Sequence, residues 1–137
     1  MYNLHNDVKY SRAVSPAAAT TDNTAWTTQI LDTANFFHNE LVLALGAFAD
    51  ADATFTVLMQ EGDESDLSDA ANVADEDLLG TEAEAGFQFD DDNETRKIGY
   101  IGTKHYIRAT IIPANNTGNA FLAALWVQSG ARKAPVA

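Results

Sequence analysis

Apolar positions recur with a period of two along most of the chain, the spacing a strand requires. Trp26, Thr28 and Ile30 alternate with Thr27, Gln29 and Leu31. Residues 36–48 set Leu41, Leu43 and Leu45 on one face and Val42, Ala44 and Phe48 on the other, as in a strand buried on both sides. Leucine also builds helices, but Gly46 and the short length favour the strand. After a turn at 49–53, residues 54–60 alternate again. Phe55, Val57 and Met59 point inward; Thr54, Thr56 and Gln60 point outward. Residues 36–60 are therefore expected to form a hairpin.

Beyond residue 86 the same pattern returns in four pieces: 87–89, 96–100, 105–112 and 121–128. A tight turn at Gly102-Thr103-Lys104 and dense turn chemistry at 113–119 separate the last three. In the final strand Phe121, Ala123, Leu125 and Val127 oppose Leu122, Ala124 and Trp126. The predicted core is Leu43, Leu45, Phe55, Val57, Met59, Ile98, Ile107, Ile111, Phe121, Leu125 and Val127. Between the strands lies an acidic loop, 61–86, with one helical turn at 75–80. Asp75 caps that turn, Gly80 ends it, and Leu78 and Leu79 pin it to the core.

Residues 1–24 read as an extended N-terminal arm, and removing residues 1–20 is expected to leave the rest folded. Ser15 to Thr24 is small and polar with one Pro. Tyr2, Leu4, Val8, Tyr10 and Val14 precede it, so the arm is expected to dock, either on its own sheet or on a neighbouring subunit. Residues 25–137 form one domain. Six or seven short strands with one loop helix predict an all-β fold, an antiparallel, jelly-roll-like β-sandwich.

Charge sharpens this picture. The 137 residues carry a net charge of -12. Nineteen of the 20 acids, all but Asp7, lie in residues 13–95, which hold no Lys or Arg. Residues 96–137 hold Arg96, Lys97, Lys104, Arg108, Arg132 and Lys133 and no acid. An acidic body repels a phosphate backbone, so direct nucleic-acid binding is not expected. Its excess carboxylates serve solubility or a specific partner. No apolar run approaches the ~20 residues that span a bilayer, and no membrane role is expected. The start of the chain lacks a charged-then-apolar leader. With no Cys, thiolate metal sites, disulfides and a Cys nucleophile are excluded.

Catalytic patterns are sparse. His5, His38 and His105 do not pair at metal spacing, and His38-Asn39-Glu40 offers at best two loose ligands. The H-E-x-x-H, G-x-S-x-G and P-loop motifs are absent. Gly99-Tyr100-Ile101-Gly102 mimics an RNA-binding GxxG loop but falls in a predicted hairpin. The clusters at 61–66 and 90–94 supply oxygen ligands of the kind Ca²⁺ takes, without EF-hand spacing, and read as solvated loops. A glycosidase carboxylate pair needs an aromatic-lined cleft, whereas these acids sit in turns. No enzyme, no metal and no cofactor is expected.

Several stretches together resemble a known family. They are Ser15-Pro16-Ala17-Ala18-Ala19, Thr21-Asp22-Asn23-Thr24, Ala51-Asp52-Ala53-Thr54-Phe55-Thr56-Val57-Leu58 and Asp77-Leu78-Leu79-Gly80-Thr81-Glu82. The run Lys97-Ile98-Gly99-Tyr100-Ile101-Gly102-Thr103-Lys104-His105-Tyr106-Ile107-Arg108 and the turn Pro113-Ala114-Asn115-Asn116-Thr117-Gly118-Asn119-Ala120 complete the set. From about residue 10 to the end, the chain is similar to small proteins encoded in the head-gene clusters of tailed bacteriophages. The resemblance implies a capsid decoration (cement) protein, a virion component assembled in the host cytoplasm and sited on the capsid exterior. Its implied partners are the major capsid protein and further copies of itself, a homotrimer first and a dimer second. The expected capsid contacts are Tyr2, Leu4, Val8, Tyr10, Arg12, Val14, Arg96, Lys97, Lys104, Arg108, Arg132 and Lys133, with the acidic loop facing solvent. A carbohydrate- or host-surface-binding sandwich displayed on the virion is the alternative. It requires exposed, coplanar aromatics, for which Trp26 and Trp126 are the test.

Overall fold

A computed structural model describes residues 3–16 and 19–131. The elements are α1 (Leu4–Asp7), β1 (Lys9–Val14), β2 (Trp26–Thr27), β3 (Leu31–Asp32), β4 (Phe36–Phe48), β5 (Thr54–Gly62), β6 (Ala71–Asn72), β7 (Leu78–Leu79), α2 (Glu82–Ala85), β8 (Phe87–Gln88), β9 (Thr95–Tyr100), β10 (Tyr106–Ala114) and β11 (Ala120–Ala131). They form two antiparallel sheets packed as a sandwich. The first runs β1-β11-β4-β9-β7. The second runs β2-β10-β5-β6, with β3 also on β10 and β8 also on β5. The all-β sandwich read from the sequence is the fold.

The chain changes sheet at almost every step, and this corrects the expected hairpins. β4 and β5 lie in different sheets, as do β9 and β10. The turn at 49–53 is therefore a bridge across the sandwich. Asp50 holds it: its carboxylate accepts from the Asp52 N–H at 2.8 Å and from the Thr117 N–H and hydroxyl, each at 2.7 Å. Those bonds, the one from Asp52 first, keep the Asp50 carboxyl below its usual range. At the 100–106 crossing, the Tyr100 hydroxyl donates to Glu61 at 2.7 Å and accepts from the Lys104 N–H at 3.0 Å. The Tyr100 ring lies over Gly102, where a Cβ would sit 2.5 Å from the hydroxyl oxygen. The crossing thus needs Gly at 102.

The core runs between the sheets. Leu41, Leu43 and Ile98 face Met59, Ile107 and Ile111, all fully buried. Phe48, Phe55 and Phe87 close one part of it, with ring centroids 4.7–5.3 Å apart. Inward polar groups of the last strand are paired, while Asn116 Oδ1 in the preceding turn is buried without a partner among the described residues. Trp126 Nε1 donates to the Gln29 carbonyl at 3.0 Å, and Gln128 Nε2 donates to the Asp32 carbonyl and Asn39 Oδ1. These bonds correct the register expected for the last strand. Leu122, Ala124, Trp126 and Gln128 point inward, while Phe121 and Leu125 are exposed and Val127 is half-buried. Both faces of 121–128 are apolar, so alternation alone does not choose. A buried indole and amide with satisfied donors do.

The segment taken as an arm contributes a full strand. β1 pairs with β11 from Lys9↔Gln128 to Val14↔Ala124, Ala13 is buried, and Thr20 bridges Ala120. The acidic loop is likewise folded onto the body. β6 and β8 pair with β5, β7 pairs with β9, and Leu67, Val73, Leu78, Ala85 and Phe87 are buried. The expected helical turn is a 3₁₀ turn, Asp75–Asp77, without a side-chain cap. It leads into strand β7, where Leu78 is buried and Leu79 is exposed. The α-helical turn comes later, in α2, where Thr81 caps the Glu84 N–H.

Candidate functional site

The outward faces of the two sheets differ in kind. On β5 and β10 the outward positions are Thr54, Thr56, Leu58 and Gln60 and Tyr106, Arg108, Thr110 and Ile112, mostly polar as a solvated face should be. The outward face of the first sheet is mostly apolar on its two middle strands, β11 and β4, with Tyr10 and Arg12 on β1 at one flank and Thr95 and Lys97 on β9 at the other. Its central row reads Arg12, Leu125, Val42, Lys97, each on the strand beside the last. The row on one side reads Tyr10, Val127, Glu40, Gly99; the row on the other reads Ala123, Ala44, Thr95.

Exposure confirms the face is open. Tyr10 keeps 54%, Leu125 46% and Phe121 42% of its surface in solvent, and Ala44 is also exposed. Glycine fits the close contacts at two points. A Cβ on Gly46 would meet Phe121 Cβ at 2.9 Å, and one on Gly99 would meet Leu79 Cβ at 3.0 Å. Leu79, 54% exposed, thereby extends the apolar face onto β7.

Charge singles out the same face. Among the described residues, Arg96 pairs with Asp91 and Glu94, and Lys104 pairs with Asp63. Arg108 donates to Gln60 on the opposite sheet. Lys9, Arg12 and Lys97 make no ion pair among the described residues. All three lie on strands of the first sheet, two of them on its outward face; Lys97 shares a groove there with Glu40 and Glu84.

The structure thus brings together three of the twelve expected contact residues: Tyr10, Arg12 and Lys97. Leu4 is exposed on α1, Val8 is half-buried at its C-terminal end, and Val14 packs on the core. Arg96, Lys104 and Arg108 are placed elsewhere by the bonds just given. Tyr2, Arg132 and Lys133 lie outside the described residues. The residues missed are Val42, Ala44, Phe121, Leu125 and Val127. Their signal was in the sequence, as strands apolar on both faces; it was read as double burial for 36–48 and as the core side for Phe121, Leu125 and Val127.

The carboxylate clusters act as backbone acceptors. Asp69 accepts from the Asp63 and Glu64 N–H groups and Asp66 from that of Ser68, and these bonds lower both carboxyls from their usual value. Asp91 accepts from the Gln88 N–H, Asp92 from that of Phe48. No group of three His, Asp or Glu is placed to hold a metal among the described residues. Of the two Trp, Trp126 is in the core, and Trp26 is half-buried with its ring centroid 5.9 Å from that of Phe55.

No family model matches the chain, and no curated protein does. Two solved structures show a distant likeness. The VP2 subviral particle of infectious bursal disease virus is 10% identical with a TM-score of 0.52, over 93% of this chain and 34% of that one. A family 22 carbohydrate-binding module of Xyn10B from Clostridium thermocellum is 13% identical with a TM-score of 0.40, over 90% of this chain and 85% of that one. The chain therefore spans about a third of the capsid protein it resembles. At 10% identity the likeness to the viral protein is one of fold.

Proposed function

We propose that the protein is a structural component of a tailed-phage virion, a decoration protein that binds the major capsid protein and stabilises the shell. The observation that carries this reading is the apolar outward face of the first sheet in a chain of net charge -12. The largest apolar patch on a soluble protein is often a functional surface, above all where polar groups rim it, and Arg12, Lys97 and Glu40 rim this one. The head-gene resemblance names the partner. The motif residues 97–108 on which it rests form the β9–β10 crossing, held by Tyr100, Glu61 and Gly102.

In this reading the protein catalyses nothing and takes no cofactor. It sits on the capsid exterior after assembly in the host cytoplasm, and its acids face solvent, where they need no partner. Self-association, a homotrimer before a dimer, draws support from Leu4 and Phe37, which keep 71% and 69% of their surface exposed. The alternative, a carbohydrate-binding sandwich, loses both indoles as platforms, since Trp126 is buried and Trp26 packs on Phe55. Co-sedimentation with empty shells of the phage that encodes the chain tests the proposal. Saturable binding at a fixed ratio to the capsid protein is expected; protein left wholly in the supernatant contradicts it.

A further inference from the structure

We infer that the outward face of the first sheet is the surface that meets the shell. We also infer that its partner there is a protein strip that is apolar at its centre and carries a carboxylate at each flank. The inference rests on the capsid reading above and names the contact within it.

The geometry of one row makes the case. Arg12, Leu125, Val42 and Lys97 lie side by side on β1, β11, β4 and β9. With strands spaced by about 4.8 Å, the two cations stand about 14 Å apart across two apolar side chains. The row is a charge palindrome: positive, apolar, apolar, positive. Stacking a second copy face to face with aligned rows sets cation against cation whichever way the copy is turned. Like charges so placed are repelled, and more strongly as the face dries. A partner with a carboxylate over each end and an apolar strip between satisfies both cations and covers Leu125 and Val42. Arg12 and Lys97, which lack an ion pair among the described residues, are free to make those contacts.

Area points the same way. Four strands at about 4.8 Å and some six residue steps along β11 at about 3.3 Å cover roughly 400 Å². That is half of the roughly 800 Å² per partner that a standard stable interface buries. A free dimer held by this face alone would be weak. A module seated on a large surface through this face and further contacts is not so limited.

The test uses the full chain and empty shells of its phage. The face variants are R12E/K97E and Leu125→Asp; the control is T56D/T110E on the outward face of the other sheet. Thermal unfolding selects variants that remain folded, and light scattering gives the mass of each. The expected result is saturable binding of the wild-type chain, weakened by salt, and at least a tenfold loss of affinity in both face variants. The control should bind as the wild type does, and all masses should agree. Face variants that bind as tightly as the wild type overturn the assignment of the face and leave the capsid reading standing. A fall in oligomer mass caused by the face variants assigns the face to a second copy and also overturns it. Wild-type protein that ignores the shells removes the capsid reading and the inference with it.

Discussion

Trp126 and Leu125 are neighbours on β11 and should respond to truncation in opposite ways. Trp126 is 1% exposed, is wedged between the sheets and donates to the Gln29 carbonyl. Truncation to Ala removes a buried aromatic, at a cost of about 3–5 kcal/mol, and strands a carbonyl acceptor, worth about another 1 kcal/mol. Leu125 keeps 46% of its surface in water. A fully buried Leu gains about 1.5–3 kcal/mol, so losing a half-exposed one costs about 0.8–1.5 kcal/mol. Urea unfolding followed by tryptophan fluorescence and far-UV circular dichroism measures both. With an m-value of about 2 kcal/mol/M, Trp126→Ala should lower the midpoint by about 2–3 M and Leu125→Ala by at most about 0.8 M. The circular dichroism matters because the first variant loses one of two reporters. If Leu125→Ala costs as much as Trp126→Ala, β11 is in the opposite register and the outward apolar face does not exist.

Tyr100→Phe should cost about 1–3 kcal/mol in the same assay, because the half-buried Glu61 carboxylate loses its donor. Burial, with the Glu61 contact adding to it, pushes the Tyr100 hydroxyl above its ordinary 10.0. Above that pH the unfolded chain sheds a proton that the folded one keeps, so wild-type stability should fall as pH rises beyond about 10. Tyr100→Phe should show a shallower alkaline loss in a pH series of thermal melts. Gly102→Ala should lower the melting temperature by several degrees, since its Cβ would overlap the Tyr100 ring. Deleting residues 1–20 should lower stability outright rather than free a dispensable arm, because β11 loses its partner β1. A deletion that melts like the full chain would contradict that pairing.

The period-two pattern disclosed the strands and the sandwich because half-buried strands must alternate. Phe55, Val57 and Met59 against threonines left one possible orientation for β5. In β4 and β11 both alternating sets are apolar, so the pattern identified strands without saying which side was in. Trp126 and Gln128 decided it through partners, Gln29, Asp32 and Asn39, nearly a hundred residues away in sequence. Turn chemistry at 49–53 and 102–104 marked where the chain reverses. It did not reveal that each reversal passes to the other sheet, since a turn's sequence records its own dihedrals and not the sheet its exits join. The acidic segment concealed buried anchors, Leu67 and Val73, that stand singly among acids and carry no period. Arg12 and Lys97 were legible as cations, but 85 positions separate them in the chain. Only the order β1-β11-β4-β9 makes them ends of one row.

A cryo-electron-microscopy map of the phage shell with the protein bound tests the central claim most directly. The account predicts sandwich density on the outer surface. In it, β11 and β4 turn toward the major capsid protein, Arg12 and Lys97 each lie against a carboxylate, and the Asp63–Asp69 side lies in solvent. A map with no such density, or with the acidic side seated on the capsid and Leu125 facing solvent, would contradict it.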